Sequence, residues 1–282
     1  MKFEALMNDQ AAMRTFSNVS LSLKKIGKTC ILKLSKNKVF FIFSEKAIGF
    51  RRPSVWCELP IRFYFEEYEV VRMDKAKNDI FLELPTASLA ETCSILKQNT
   101  NLVKIKITES DDSDAIYLTF DMELPMRAVK LLAEKYWSGY GEEPASNAFH
   151  ASIQMPQWKN IKPVVDSIKN LSEWISLSIE ETGKLTLENF ALDIDTSAVK
   201  LKADFPELLV HSFVPANIPN TDEDNVKVTA TIDSKKFLNY LSGMQILNCP
   251  AICSIAHERL VKLSLDAPGR VKLQIFVFQF LT

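Results

Sequence analysis

The segment Asp9–Lys28, DQAAMRTFSNVSLSLKKIGK, places apolar residues at steps of three and four, which is the spacing of an α-helix. The apolar stripe comprises Ala12, Phe16, Val19, Leu23 and Ile26. Asn8 or Asp9 can cap its start. The opposite face carries Arg14, Asn18, Ser22 and Lys25, with Lys24 and Lys28 beside them. The pattern predicts a helix that buries one side and exposes a basic one.

The same order of elements returns about 145 residues later in the chain. A strand at 2–7 precedes this helix, and a strand at Phe149–Gln154 precedes a helix at Pro156–Leu171. Each half also has a second helix, Thr86–Gln98 and Asp233–Met244, among alternating strand patterns. Ser88 and Glu91 form a capping box, and Pro163 falls in a first helical turn. The sequence therefore predicts an α+β fold of two similar domains, 1–125 and 148–282, joined by a connector at 126–147.

Composition excludes several classes of protein. The chain has 282 residues, enough for about two domains, and only seven glycines, too few for glycine-rich phosphate loops to be expected. The longest apolar runs, such as Val39–Phe43 and Ile275–Phe278, are far shorter than the ~18 residues of a membrane span. The N-terminus does not resemble a signal peptide. We expect no membrane association and a reducing compartment, with the five cysteines acting as small buried apolar residues.

Motifs for catalysis, metals and cofactors are incomplete. Gly27-Lys28-Thr29 resembles the end of a phosphate-binding loop, but Ser22 stands where that motif needs a glycine. The tripeptide also closes a predicted helix, whereas a phosphate loop must open one. His257-Glu258 begins like a zinc-protease motif, but position 261 is Val. We predict no catalytic residue, no metal and no cofactor, and keep a nucleotide-binding enzyme as an alternative.

The charge of the chain is unevenly distributed. Lys and Arg total 34 against 35 Asp and Glu, for a net charge of −1. The four predicted helices have a net charge of +6, so the remainder totals −7. The helix cations are Arg14, Lys24, Lys25, Lys28, Lys97, Lys159, Lys162, Lys169, Lys235 and Lys236. If the helices share one face of a sheet, this surface suits contacts to DNA phosphates without base reading.

Short fragments spread over essentially the whole chain carry a resemblance through their order and spacing. In the first half they are Met1-Lys2-Phe3, Lys28-Thr29-Cys30, Val55-Trp56-Cys57-Glu58-Leu59, Ile80-Phe81-Leu82-Glu83-Leu84 and Lys104-Ile105-Lys106-Ile107. In the second half they are Ser152-Ile153, Pro156, Lys159, Lys162, Val164-Val165, Lys169-Asn170, Ser172, Asp233, Lys236-Phe237-Leu238, Leu241, Gly243 and Gln245. On these residues the chain resembles the DNA sliding clamps related to proliferating cell nuclear antigen. Within them it is most similar to the Hus-one family, a subunit type of the heterotrimeric nine-one-one checkpoint clamp.

The resemblance implies a function and partners. Three subunits close a ring round double-stranded DNA, with helices inside and sheets outside, and Lys25 is the best positional match for a DNA-facing residue. The partners implied are two Rad-type clamp subunits, Rad-nine and Rad-one, an ATP-driven clamp loader, repair enzymes and factors of the ATR checkpoint pathway. A nuclear location, with some protein in the cytoplasm, goes with this role. Sheet edges at Ile116–Met122 and Ala198–Ala203 are expected to meet other subunits.

Two questions stay open at this stage. The connector segment Val129–Tyr140 is either a tether that packs on the sheets or a docking groove for partner peptides. The groove lining would be Val129, Leu131, Leu132 and Ile153. The chain is either a subunit of the heterotrimeric checkpoint clamp, which we favour, or a homotrimeric replicative clamp that acts as a processivity factor.

Overall fold

A computed structural model divides the chain into two compact units. The first comprises Met1–Glu143 with Asp266–Leu273, and the second comprises Pro144–Leu265 with Gln274–Thr282. The division at 143 and 144 falls inside the segment predicted as a connector, 126–147. The residues described are 2–47, 50–71, 79–98, 101–109, 116–122, 127–135, 149–190, 199–214 and 226–279.

The first unit combines two antiparallel sheets with two longer helices. Its elements are β1 Lys2–Met7, α1 Gln10–Ile26, β2 Thr29–Leu34, β3 Lys38–Ala47, β4 Phe50–Pro60, α2 Ile61–Tyr64, β5 Glu67–Val71, β6 Ile80–Pro85, α3 Thr86–Ser94, β7 Val103–Glu109, β8 Ile116–Met122 and β9 Arg127–Lys135. A 3₁₀ turn, Ile95–Lys97, follows α3. One sheet has the order β5-β1-β7-β8-β9, and the other has the order β4-β3-β2-β6. The end of β9 also pairs with β6.

The second unit repeats this plan. Its elements are β10 Ala151–Gln154, α4 Trp158–Leu171, β11 Trp174–Glu180, β12 Lys184–Phe190, β13 Lys202–Phe205, β14 Val210–Phe213, β15 Lys227–Asp233, α5 Ser234–Leu247, β16 Ile252–Ala256, β17 Leu260–Ala267 and β18 Val271–Phe278. The segment Asp266–Leu273, where β17 ends and β18 begins, is grouped with the first unit. Its sheets have the orders β14-β10-β16-β17-β18 and β13-β12-β11-β15. Strand for strand these orders match those of the first unit. The predicted α+β fold, with two similar halves that each pack two long helices on antiparallel sheets, is confirmed.

The core of the first unit forms where α1 lies on the strands. The Phe16 ring packs edge-on against Phe41 of β3, with ring centroids 6.1 Å apart. The same ring meets Tyr64 and Phe65 at 6.1 and 6.4 Å. Leu23, two helical turns after Phe16, is fully buried. The apolar stripe predicted from the sequence is therefore the buried face of α1.

A second face of α1 is buried as well, because α3 packs beside it. Ser17 and Ser20 are buried, and Ser20 lies within hydrogen-bonding reach of the Cys93 thiol on α3. Ser22, predicted on the exposed face, is also buried. Small side chains at these positions let the helices approach closely. The exposed part of α1 is thus narrower than the sequence pattern predicts, and it retains Arg14, Lys24 and Lys25.

Two aspartates cap helices, whereas the capping box predicted at Ser88 and Glu91 is not formed. Asp9 caps α1 by accepting the Ala11 and Ala12 N–H groups at 3.2 and 3.1 Å. Asp233 caps α5 in the same way. The capping box at Ser88 is wrong, because α3 already begins at Thr86.

Pro163 does not lie in the first turn of its helix. Because α4 starts at Trp158, Pro163 is the sixth residue and falls in the second turn, so the predicted placement is wrong. Proline has no N–H to donate to the carbonyl four residues earlier. The Ser167 hydroxyl donates to the Pro163 carbonyl at 3.0 Å. The helix continues through the proline to Leu171 despite that missing hydrogen bond.

The strand orders correct one predicted sheet edge. Ile116–Met122 is β8, which lies between β7 and β9 and pairs with both, so the prediction that it is an edge is wrong. Lys202–Phe205 overlaps the other predicted edge and ends its sheet among the described strands. Arg127–Lys135, predicted as the start of the connector, forms β9 instead.

Two histidines of the second unit accept hydrogen bonds from backbone N–H groups. The His257 backbone N–H donates to Nδ1 of His150 at 3.1 Å, and the Thr229 N–H donates to Nδ1 of His257 at 3.0 Å. A backbone N–H can only donate, so Nδ1 of each ring is the acceptor in these two bonds. Burial lowers the pKa of His150 from its ordinary value, and the neighbouring His257 and Arg259 lower it further.

We expect Leu23→Ala to destabilise the chain by about 2–5 kcal/mol, because it removes a fully buried side chain beneath α1. Urea titration of the two proteins measures the difference. The matched control is Lys25→Ala on the exposed side of the same helix, which should change stability by less than about 0.5 kcal/mol. Equal effects of the two substitutions would contradict the buried face assigned to α1.

We also expect the second unit to lose stability as the pH falls below 6.5. Histidine in the unfolded chain binds a proton near that pH, whereas folded His150 resists protonation because its pKa is lowered. The contribution of His150 is therefore complete above 6.5 and is lost as the pH falls toward the folded pKa. Urea titrations on both sides of this pH measure the loss. His150→Gln keeps an acceptor that does not titrate, so it should flatten the pH dependence, and an unchanged dependence would contradict the prediction.

Candidate nucleic-acid interface

All ten cations predicted to meet DNA lie on the long helices or directly after them. Arg14, Lys24 and Lys25 are on α1, and Lys28 follows its end. Lys97 is in the 3₁₀ turn after α3. The remaining cations are Lys159, Lys162 and Lys169 on α4, and Lys235 and Lys236 on α5. Eight are exposed, and Lys162 and Lys169 are half-buried.

In the first unit, the cations differ in their acidic neighbours. Lys24 Nζ lies 3.5 Å from Glu91 Oε1 on α3. Arg14 and Lys25, three helical turns apart on the exposed side of α1, form no ion pair within the described part of the chain. The same holds for Lys28. Arg14, Lys25 and Lys28 therefore keep their full charge for an external anion.

In the second unit, two lysines have partners close at hand. Lys162 Nζ donates to Gln245 Oε1 on α5 at 3.0 Å. Lys169 Nζ lies 2.8 Å from Asp166 Oδ1, one turn earlier on α4. Lys159 and Lys235 are exposed and form no ion pair with any described residue. Each unit thus offers unpaired cations on its helices together with cations that are held by a neighbour.

The acidic residues of the helices do not all weaken these cationic faces. Asp9 and Asp233 act as caps at helix starts, where backbone N–H groups and the helix dipole offset their charge. Glu91 and Asp166 stand beside Lys24 and Lys169. The excess of positive charge predicted from the sequence is therefore available on α1, α4 and α5.

The Gly27-Lys28-Thr29 tripeptide is not built to bind a phosphate. It follows the last residue of α1, Ile26, as the sequence predicts. The carbonyls of Gly27 and Lys28 accept hydrogen bonds from Thr86 at the start of α3, at 2.5 and 3.0 Å from its hydroxyl. A helix end presents carbonyls and negative dipole, which disfavour an anion. The tripeptide connects α1 to β2, and its first two carbonyls are hydrogen-bonded to α3, an arrangement unlike that of a phosphate loop.

Of the four residues predicted to line a docking groove, only Ile153 has a described side chain. Ile153 lies in β10 between β14 and β16 and is fully buried, so it cannot line an open groove. Val129, Leu131 and Leu132 lie in β9, which pairs with β8. Their side chains lie outside the described part of the structure, so a docking role for them stays a prediction. The rest of the proposed connector, 136–147, lies outside the described residues as well.

The cysteines behave as apolar core residues. Cys30, Cys57, Cys93 and Cys253 are buried free thiols, and Cys249 is half-buried. Burial raises the pKa of Cys93 and Cys253 to about 12, so both remain protonated at neutral pH. Within the described ranges, no three or more His, Cys, Asp or Glu side chains are grouped so as to hold a metal ion.

No helix in the described part of the chain has both the length and the apolar character needed to cross a membrane.

Relatives of the chain are checkpoint proteins. The chain is 30% identical over 293 residues to Checkpoint protein HUS1 of Homo sapiens, and the alignment covers 98% of this chain and 99% of the relative. It is 26% identical over 263 residues to Checkpoint protein hus1 of Schizosaccharomyces pombe, with 88% of each chain covered.

Solved structures show the same fold. Proliferating cellular nuclear antigen from Entamoeba histolytica superposes with a TM-score of 0.68 and 14% identity over 99% of each chain. Proliferating cell nuclear antigen from Thermococcus kodakaraensis superposes with a TM-score of 0.65 and 11% identity, over 98% of this chain and 99% of that chain. Over residues 1–280 the sequence matches the family described as Hus1-like protein. The chain belongs to this Hus1-like family and has the fold of a sliding clamp.

Proposed function

We propose that this checkpoint clamp subunit closes a heterotrimeric ring round double-stranded DNA together with two Rad-type subunits, Rad-nine and Rad-one. The observation that carries the proposal is the set of exposed, unpaired cations on the helices of both units. Arg14 and Lys25 represent this set in the first unit, and Lys159 and Lys235 represent it in the second. Arg14, Lys25 and Lys159 lie on the equivalent first helices of the two units, α1 and α4, and Lys235 lies on the second helix, α5.

The chemistry of these side chains fits DNA binding without sequence preference. Nine of the ten cations are lysines, and only Arg14 is an arginine. A lysine ammonium acts as a point charge, whereas arginine forms the planar two-bond contacts by which proteins read guanine. Phosphate contacts fix position but carry no sequence information. A surface rich in lysine can therefore hold a duplex and still let it slide.

Sheet edges offer a way to join subunits. Unpaired backbone groups of an edge strand can pair with a strand of another chain. β13 ends the four-stranded sheet of the second unit, and β9 ends the order of the five-stranded sheet of the first. β13 overlaps Ala198–Ala203, the segment predicted as an edge that meets another subunit. β8 cannot pair with another subunit, because β7 and β9 occupy both of its sides. We assign β13 and the free part of β9 to the contacts with the two Rad-type subunits.

The remaining parts of the proposal concern how the ring is used. The chain acts as a scaffold without catalysis and needs no cofactor of its own. A separate ATP-driven loader opens the ring onto DNA, and the loaded ring recruits repair enzymes and ATR checkpoint factors. Its place of action is the nucleus, with some of the protein in the cytoplasm. The hydrogen bonds from the Thr86 hydroxyl to the Gly27 and Lys28 carbonyls support a ring that leaves ATP to its loader, because they engage the backbone of the incomplete nucleotide motif.

The subunit count of the ring can be measured directly. We expect the purified chain to have its own mass of 32.0 kDa, and co-expression with both Rad-type subunits to give a complex with one copy of each. Light scattering coupled to size exclusion gives both masses. A stable species of three identical chains would instead establish the homotrimeric replicative clamp.

The proposed DNA surface predicts a change in salt dependence. Changing Lys25, Lys159 and Lys235 to Ala should lower the slope of log affinity against log salt by about 0.9 for each lost phosphate contact. Fluorescence anisotropy of the assembled complex with a duplex of mixed sequence measures the slope. The control changes Lys2, Lys36 and Lys272, which lie on strands and a turn, and should leave the slope unaltered. Equal slopes for both triple variants would contradict the assignment of the DNA surface to the helices.

A further inference from the structure

A lysine links the two long helices in each unit, and its partner differs between the units. In the first unit Lys24 on α1 reaches Glu91 on α3, at 3.5 Å. In the second, Lys162 on α4 reaches Gln245 on α5, at 3.0 Å. Both lysines sit on the first helix of their pair, and both partners sit on the second.

The two partners have different effects on the lysine charge. A carboxylate such as Glu91 carries a full negative charge, so it both offsets Lys24 and repels a phosphate that approaches it. The amide oxygen of Gln245 accepts a hydrogen bond from Lys162 but is neutral. Lys162 is therefore held by a neutral partner, whereas a carboxylate 3.5 Å away partly offsets the charge of Lys24.

We infer that Glu91 and Gln245 set how strongly each unit of the chain holds a DNA phosphate. This inference rests on the proposed function, since it concerns the same cationic helices. Gln245 positions a fully charged Lys162 for a phosphate contact. Glu91 competes with the phosphate for Lys24 and weakens the contact in the first unit. The two units have the same fold but thus differ in how strongly they bind DNA phosphates.

The surroundings of each pair allow a phosphate to reach the lysine. The side chains of Lys24 and Glu91 are 42% and 74% exposed, so their ion pair can open to solvent. Gln245 and Lys159 line the same cavity of about 420 Å³ at the start of α4 and the end of α5. Lys162 does not line this cavity itself, but its partner Gln245 does, so a phosphate in the cavity would lie beside Lys159 and the amide that holds Lys162. A carboxylate at position 245 would repel that phosphate.

An exchange of the two partners tests the inference. Glu91→Gln gives the first unit the neutral partner of the second, and Gln245→Glu does the reverse. Exposed ion pairs of this kind correspond to about a 1.5- to 5-fold change in an equilibrium constant. We expect Glu91→Gln to tighten duplex binding by that factor and to raise the salt slope by up to about 0.9. Gln245→Glu should weaken binding and lower the slope by similar amounts.

The measurement uses the assembled complex and the same mixed-sequence duplex, by anisotropy over a series of NaCl concentrations. Glu181→Gln is the matched control, because it removes one exposed carboxylate from a strand turn, away from the helices. It should leave affinity and slope near those of the unaltered complex. All three side chains are exposed, so thermal unfolding midpoints should agree, which confirms that the variants are folded.

Failure of the inference and failure of the proposed function give different results. If the Lys25, Lys159 and Lys235 variant keeps the salt slope of the unaltered complex, the DNA surface itself is wrong. If that variant lowers the slope while Glu91→Gln and Gln245→Glu both bind like the unaltered complex, only the inference is overturned. Tightening by Glu181→Gln as large as that by Glu91→Gln would also overturn it, because net charge alone would then account for the effect.

Discussion

The apolar stripe of α1 can leave water only by lying against strands, and the rest of the first unit depends on this burial. It brings Phe16 onto Phe41 and fixes the rotation of the helix about its axis. Once that rotation is set, α3 takes the neighbouring face and buries Ser17 and Ser20. Only the side of α1 that carries Arg14 and Lys25 remains exposed. The position of the cations therefore follows from the burial of apolar residues, although none of the cations takes part in it.

The second unit reaches the same result with other residues. The α4 helix buries Ile161, Val165 and Ile168 and exposes Lys159, although a proline interrupts its hydrogen bonds. Two dissimilar sequences thus satisfy one arrangement of strands and helices, because the arrangement requires only a periodic apolar face on each helix and alternating apolar residues on each strand. The polar positions are left free to differ, and the partners of Lys24 and Lys162 do differ.

The sequence predicts the features that depend on local periodicity. The helix at Asp9–Lys28, its Asp9 cap and the repeat in the second half all follow from the spacing of residues close together in the chain. Features set by long-range packing are not predicted. Ser22 is polar and lies opposite the stripe, yet neighbouring elements bury it. The edge at Ile116–Met122 is wrong because strand order depends on pairing with β9, a segment whose sequence resembles a linker. The Lys162–Gln245 contact joins residues 83 positions apart, and no local pattern indicates it.

The histidine link in the second unit has a practical consequence for spectroscopy. The chain has only three histidines. Two of them, His150 and His257, accept backbone hydrogen bonds at Nδ1, while the third, His211, is exposed on β14. The imidazole nitrogen resonances of the first two should show the effect of an accepting Nδ1, which sets them apart from those of His211. A single nitrogen-15 imidazole spectrum would therefore report two things. The resonances of His150 and His257 would show whether their hydrogen bonds are intact, and those of His211 would show whether another chain covers β14.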